Sequence, residues 1–237
     1  MTEKANAAFV PSVWVRPTPA HRLRPALSRD VIVREAIAVL DEAGSEALTM
    51  RKLGARLNAG ATSFYRHVTN RDELLELAVD EVLGEVLVPQ GGSPDDWRSD
   101  VTAFADAFRA TALRHPWLCA ELGRAGMAYL GPNLSALTAQ LTALLAAAGY
   151  PDPPSAINAL YSYAIGMSTT ESAWLSTVAR SGQSEAEFLA QTLRPEPGVG
   201  SEDLRFVQDP AAVRDEHFAS GLGIVLDGLA TRLRPQA

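Results

Sequence analysis

Between Thr49 and His67 the chain is written as two short helices around a tight turn, and that turn constrains how everything beside it can fold. Thr49 suits the N-cap of the first helix, in which Met50, Leu53 and Leu57 recur at three- and four-residue spacing while Arg51, Lys52 and Arg56 fall on other faces. Asn58, Ala59 and Gly60 interrupt it. Asn and Gly accept left-handed backbone, so the chain can reverse within three residues and restart at Ala61. In the second helix Phe64 and Val68, spaced i and i+4, are predicted to pack on Leu53 and Leu57, leaving Thr62, Ser63, Tyr65, Arg66 and His67 on the remaining arc. Such a helix fits a DNA major groove, its N-terminal residues nearest the base edges. Helix pairs also occur in any small bundle, where the same polar arc is a solvated face, so spacing alone leaves both readings open.

The flanks extend the pattern. Ser28 is placed to cap a helix to Ala43, with Ile32, Val33, Ala36, Ile37 and Leu40 as its apolar stripe and Gly44 ending it. Asn70 with Glu73 matches a capping box for a helix through Leu74, Leu75, Ala78, Val79, Val82 and Leu83. The runs Leu48-Thr49-Met50-Arg51-Lys52-Leu53, Phe64-Tyr65-Arg66-His67-Val68 and Asn70-Arg71-Asp72-Glu73-Leu74-Leu75 resemble the DNA-binding domain of the TetR family of one-component transcriptional regulators. The resemblance covers Leu27 to about Glu85. It implies an all-α homodimer, with an N-terminal helix-turn-helix domain joined by a long helix to a C-terminal domain that binds a small ligand and dimerises. Family members mostly repress, and ligand binding usually releases them from their operator. By position in the motif, the resemblance implies DNA contacts from Arg51, Thr62, Ser63, Tyr65, His67 and Arg71, with Arg66 on the same arc. Where relatives often carry a longer polar residue at the start of the recognition helix, this chain has Gly60 and Ala61, which implies weak base readout there or readout from neighbouring residues.

Charge divides the chain at the same place. Through Asp72 there are 11 Lys and Arg against 7 Asp and Glu, a net of +4; the remainder carries 10 against 21, a net of −11. Neutralising phosphates needs local positive charge, and an acidic remainder keeps the body off the DNA backbone. Cys119 is the only cysteine, so no intramolecular disulfide is possible, and with Leu118 and Ala120 beside it the buried apolar reading outweighs a redox one. The richest apolar run, Leu134 to Ala148, is interrupted by Ser135, Thr138, Gln140 and Thr142, so no membrane span is expected, and the N-terminus lacks a signal-peptide core. A cytoplasmic protein is expected.

The expected organisation is a flexible arm over 1–26, a helix-turn-helix domain with a connecting helix over 27–88, and a ligand-binding and dimerisation domain over 93–237. The arm carries Arg16, Arg22 and Arg24 among prolines and reads either as a tail or as a minor-groove arm. Trp14 has no assigned role. In the body, Ser93 with Asp96 forms a second capping box for a helix to His115; further helices are predicted over 116–122, 132–148 and from Pro154 or Ser155 to about Ala179. Ser184 and Glu187 cap a short helix, a mobile loop follows around Pro195 and Pro197, and the last helix runs over 211–233. No strand is expected. Small residues in the long helix (Ala164, Gly166, Ser168, Ala173) and the last one (Ala219, Gly221, Gly223, Gly228), with the stripe Phe218, Leu222, Val225, Leu226 and Leu229, suit a helical dimer interface, although a buried monomer helix looks similar.

The histidines at 21, 67, 115 and 217 are scattered with no metal-ligand spacing, and no phosphate loop, dinucleotide fingerprint or nucleophile elbow is present. No catalytic residue, metal or cofactor is expected. His115 reads as a helix C-terminal cap or, less often, a ligand-pocket or pH-sensing group. Candidate walls of an effector pocket are Phe104, Phe108, Trp117, Met127, Tyr161, Ile165 and Trp174, along with Leu118, Tyr129, Leu137, Leu141 and Met167; Asn158, Thr169, Thr170 and Glu171 offer polar groups. Most of these must simply be core. The effector's identity is not encoded in any motif. The competing class is a helical ligand-binding or scaffold protein whose helix-turn-helix is only structural.

Overall fold

In a computed structural model that describes residues 27–89, 93–125, 131–192 and 205–233, every regular element is helical. The helix α1 (Arg29–Ala43) starts where Ser28 Oγ accepts the Val31 N–H at 3.2 Å, and ends at Gly44 with φ of +73°, a conformation that favours glycine. A 3-10 turn (Ser45–Ala47) leads to α2 (Met50–Arg56), whose Thr49 cap accepts the Lys52 N–H at 3.1 Å. Asn58, at φ +47°, turns the chain into α3 (Ala61–Phe64). The second helix of the pair is therefore one turn long and does not continue to Val68. The reason lies just beyond it: Asn70 Oδ1 accepts the Glu73 N–H at 2.8 Å and Glu73 Oε2 accepts the Thr69 N–H at 2.7 Å, so residues 69 and 70 are already committed to starting α4 (Arg71–Leu83).

The connecting helix ends at Leu83 rather than at Val88. Gly84 weakens it, and Val86 and Val88 turn into the core beyond that point. A 3-10 turn (Pro94–Asp96) with the expected Ser93 capping box opens α5 (Trp97–Arg114). Then come α6 (Leu118–Ala125), α7 (Pro132–Ala147), α8 (Pro153–Ser181), α9 (Glu185–Thr192), α10 (Arg205–Gln208) and α11 (Pro210–Ala230). α6 starts two residues later than the proline suggests, and α10 is an additional turn of helix ahead of α11. The arm over 1–26 with Trp14, the positions Met127 and Tyr129, and the loop over 193–204 lie outside the described residues.

α4 is the spine. It packs on α1 on one side and on α5, α6 and α7 on the other, and one continuous apolar cluster runs through Ile32, Leu53 and Phe64 to Val82, Phe104, Leu141 and Leu226. α7 has no side-chain cap of its own at Gly131; the buried Asp80 of α4 supplies one, its Oδ1 accepting the N–H groups of Asn133 at 3.0 Å and Leu134 at 3.2 Å. Gly131 is required there, because a Cβ would lie 2.6 Å from Asp80 Cγ.

α11 corrects one expectation. Phe218, Leu222, Leu226 and Leu229 are covered within their own chain, packed toward α8. Gly221 lies under Tyr163, which donates its hydroxyl to the Phe218 carbonyl at 2.6 Å. The stripe named from sequence is thus core. What α11 leaves outward is Ile224, 74% exposed, beside Ser220, Asp227 and Gly228.

Candidate functional site

The outward side of α2 and α3 carries the polar arc. Arg51, Ser63, Tyr65 and Arg66 are exposed, with Tyr65 at 55%, while Phe64 and Val68 are buried as their spacing requires. Tyr65 stands edge-on to Phe64, ring centroids 6.4 Å apart, so the buried ring steadies the exposed one. His67 is half-buried, and its carbonyl accepts from Arg29 Nε at 3.4 Å. The side chain of Thr62 lies outside the described residues. Gly54, Ala55, Ala59 and Gly60, all small, leave a hollow of about 540 Å3 between the two helices, edged by Arg51 and Tyr65.

Two arginines of this domain are committed elsewhere. Arg71 donates Nε to the Leu48 carbonyl at 3.1 Å and a terminal nitrogen to the Ser45 carbonyl at 2.7 Å, tying the start of α4 to the turn before α2. Arg56 bonds Glu35 and Glu42 of α1, which fastens α2 to its neighbour. The chain's free positive charge at the motif is accordingly narrower than its arginine count suggests.

The effector-wall residues named from sequence do not line one common cavity. Phe104, Phe108 and Tyr161 are fully packed, meeting with centroids 5.7 Å and 6.4 Å from Tyr161 to the two phenylalanines. Asn158 and Thr169 are exposed, the Thr169 hydroxyl donating to the Ile165 carbonyl at 2.7 Å; Ile165 is half-buried. Trp117 is buried but directs Nε1 to Asp41 of α1. Trp174, by contrast, lines a cavity of about 250 Å3 between α8, α9 and α11, with Met167, Thr170, Leu189 and Val213. Glu171 and Arg214 also line it.

Those two belong to a network the sequence did not announce. Arg109 of α5 grips Glu171 with two hydrogen bonds of 2.7 Å and reaches Asp215 at 2.8 Å, and Arg214 bridges Glu171 and Glu185. Burial pushes the Glu171 carboxyl up, but the hydrogen bonds and charges of Arg109 and Arg214 outweigh it and hold the group below its ordinary value of 4.5. A lowered folded value means the network stabilises the protein above the ordinary carboxylate range and that this contribution fades as pH falls through the folded value. Glu171→Gln is expected to be less stable than the parent near neutrality and to lose less stability between about pH 6 and pH 3, which urea midpoints across that range would read.

Sequence reasoning also gave Ser168 only an interface role and did not single out Ser172. Both are buried on α8, and neither hydroxyl has a hydrogen-bond partner among the described residues. Thr169, Thr170 and Thr177 on the same helix donate back to the carbonyls four residues earlier, those of Ile165, Gly166 and Ala173. A signal did exist, since two serines at i and i+4 interrupt an otherwise apolar face. Cys119 is buried, and burial pushes its thiol up to about 11, which leaves no reactive thiolate.

A helix-turn-helix with its outer arc open, mounted on an all-helical body, defines a transcriptional regulator. Residues 32–78 match the description "Bacterial regulatory proteins, tetR family" and residues 89–233 match "Tetracyclin repressor-like, C-terminal domain". The chain belongs to the TetR family. It is 42% identical over 165 residues to an HTH-type transcriptional regulator of Saccharopolyspora erythraea, covering 69% of each chain. It is 30% identical over 218 residues to the HTH-type transcriptional repressor DrrR1 of Streptomyces coeruleorubidus, covering 89% of this chain and 80% of the relative. The Streptomyces coelicolor TetR family protein ActR, solved in complex with actinorhodin, superposes with a TM-score of 0.69 at 29% identity, covering 90% of this chain and 100% of that one. Among the described residues no helix is long and apolar enough to cross a membrane.

Proposed function

We propose that this regulator is a repressor that binds a palindromic duplex operator as a homodimer and lets go when a small molecule occupies its body. The observation that carries the reading is the open arc of Arg51, Ser63, Tyr65 and Arg66 on a helix pair whose buried side is fully packed. Thr62 and His67 complete the contact set, and Arg71 serves it by holding the turn before α2. Residues 27–88 form the reading domain, 93–237 the body, and 1–26 an arm; the protein acts in the cytoplasm. Outward faces of α8 and α11, with Gly166, Ala173, Ile224 and Gly228, supply a self-complementary surface for the two-fold contact.

ActR binds actinorhodin, which supports a small-molecule effector for this chain as well. The cavity at Trp174 is its entry, with apolar walls that favour a largely apolar molecule. Phe104, Phe108, Tyr161 and Ile165 are the inner wall that such a molecule would part, and Ser168 and Ser172 are hydroxyls awaiting a polar partner. Asn158, Thr169 and Trp117 contribute to the same body without lining that cavity, and Met127 completes the proposed set.

Replacing Tyr65 or Arg51 with Ala is expected to cost about 1 to 3 kcal/mol of operator affinity while leaving folding and oligomeric state unchanged. Duplexes recovered from a random pool by the parent protein serve as the operator, and titrations at several salt concentrations measure the loss. Unchanged affinity in both variants would remove them from the contact set, and failure of the parent to recover any DNA would favour the scaffold reading.

A further inference from the structure

Asp41 stands in the last turn of α1, where the helix carbonyls disfavour a carboxylate and no basic side chain of that turn offsets it. Its neighbour Glu42 is satisfied by Arg56. Asp41 instead reaches the body: Oδ1 accepts Trp117 Nε1 at 2.7 Å and lies 2.8 Å from His115 Nδ1. The far side of the imidazole, Nε2, is 3.5 Å from Glu85 Oε2, which also accepts from Arg114 at 2.7 Å. His115 and Trp117 are buried and meet edge-on with centroids 6.1 Å apart. Pro116 between them fixes its own φ and keeps His115 out of helical backbone, at φ −121° and ψ 74°, so the two gripping groups sit on a corner with little rotational slack.

One polar cluster thus joins the end of α1, the segment after α4 and the corner between α5 and α6. The other end of α1 belongs to the reading surface, where Arg29 bonds the His67 carbonyl. We propose that Asp41, His115 and Trp117 are positioning residues for DNA binding: they set the tilt of the reading domain on the body, and through it the distance between the two reading heads of a dimer. This rests on the DNA-binding reading above. α1 has 15 residues, which at 1.5 Å each makes a rod of roughly 22 Å, so a tilt of about 10° at Asp41 displaces the far end by about 4 Å. That is close to the roughly 3.4 Å step of one base pair. A contact at this corner can therefore decide which half-site spacing is accepted.

The test uses the full chain and palindromic duplexes, recovered from a random pool by the parent, whose half-sites are then moved by one and two base pairs. The parent is expected to favour one spacing by about tenfold over its neighbours. Asp41→Ala, and Trp117→Phe, which keeps the ring and removes the N–H, are each expected to shrink that preference to about threefold or less while leaving binding to a single half-site unchanged. Together they are expected to do no more than Asp41→Ala alone, since removing that carboxylate already removes the partner of the Trp117 N–H. The proposal is overturned if the variants keep the parent's spacing preference, if they weaken every spacing by one common factor, as a merely structural contact would, or if the parent itself has no preference. Should Asp41→Ala fail to fold, Trp117→Phe decides. A parent that recovers no DNA refutes the reading beneath the proposal, a result distinct from these.

Discussion

Phe64→Ala is expected to remove about 3 to 5 kcal/mol of stability, because the ring is 2% exposed and its loss leaves a cavity where α3 meets the rest of the reading domain. The α3 turn has only four residues, too few to hold as a helix without side-chain anchorage. Phe64 provides that anchorage and also backs the Tyr65 ring. The variant should therefore lose DNA binding through disorder of the reading surface, with a lower first transition on heating and reduced protection of the amides of residues 61–68. Hydrogen exchange separates this outcome from that of Tyr65→Ala, which should leave those amides as protected as in the parent. A Phe64→Ala protein with parental thermal stability would mean that the face has been assigned wrongly.

With the homodimer proposed above, Ile224→Asp is expected to yield monomers and to abolish operator binding at concentrations where the parent binds fully. Ile224 is 74% exposed in one chain, so the new charge costs the isolated protomer nothing, whereas burying it unpaired against a second copy costs several kcal/mol. A single reading head engages half an operator, and two half-sites about 34 Å apart must be held together for full affinity. Leu222→Asp would not isolate this effect, because Leu222 is core of its own chain and the substitution would unfold it. Sedimentation of Ile224→Asp settles the matter: a variant that remains dimeric and well folded places the interface on another surface.

Much of the fold was legible because its signals are local. Ser28, Thr49 and Asn70 each cap the helix expected of them, Ser93 caps the 3-10 turn ahead of α5 and not α5 itself, and the reversal at Asn58 uses the left-handed residue that the turn requires. Helical periodicity placed Phe64 and Val68 inward. It could not reveal that α3 stops after one turn, since that follows from how Thr69 and Asn70 serve the next helix. Nor does it separate core from interface, which is why the stripe through Leu222 was offered to an interface: it lies in an apolar run, and only the position of Tyr163 above Gly221 shows which side faces in. The polar clusters were the least legible. Asp41 meets His115 across 74 residues and Arg109 meets Glu171 across 62, pairings that no spacing rule encodes. Trp117 was read as a pocket wall for the same reason.

The Asp80 carboxylate under the start of α7 bears on where this protein can be divided. The break in helical pattern near Pro89 invites a cut between reading domain and body, and the two family matches meet near the same place. Yet α7 begins without a cap of its own, and the group that completes it comes from α4, on the other side of that cut. A fragment starting after Val88 would have to start α7 with bare amide groups and would leave the apolar faces of α5, α6 and α7 that α4 covers open to water. The autonomous folding unit of the body therefore includes α4, whereas α1, α2 and α3 form a module that leans on it. Exchange of reading heads between relatives would respect this unit if the junction were placed at Asn70, ahead of the spine, and would divide it if placed at the prolines.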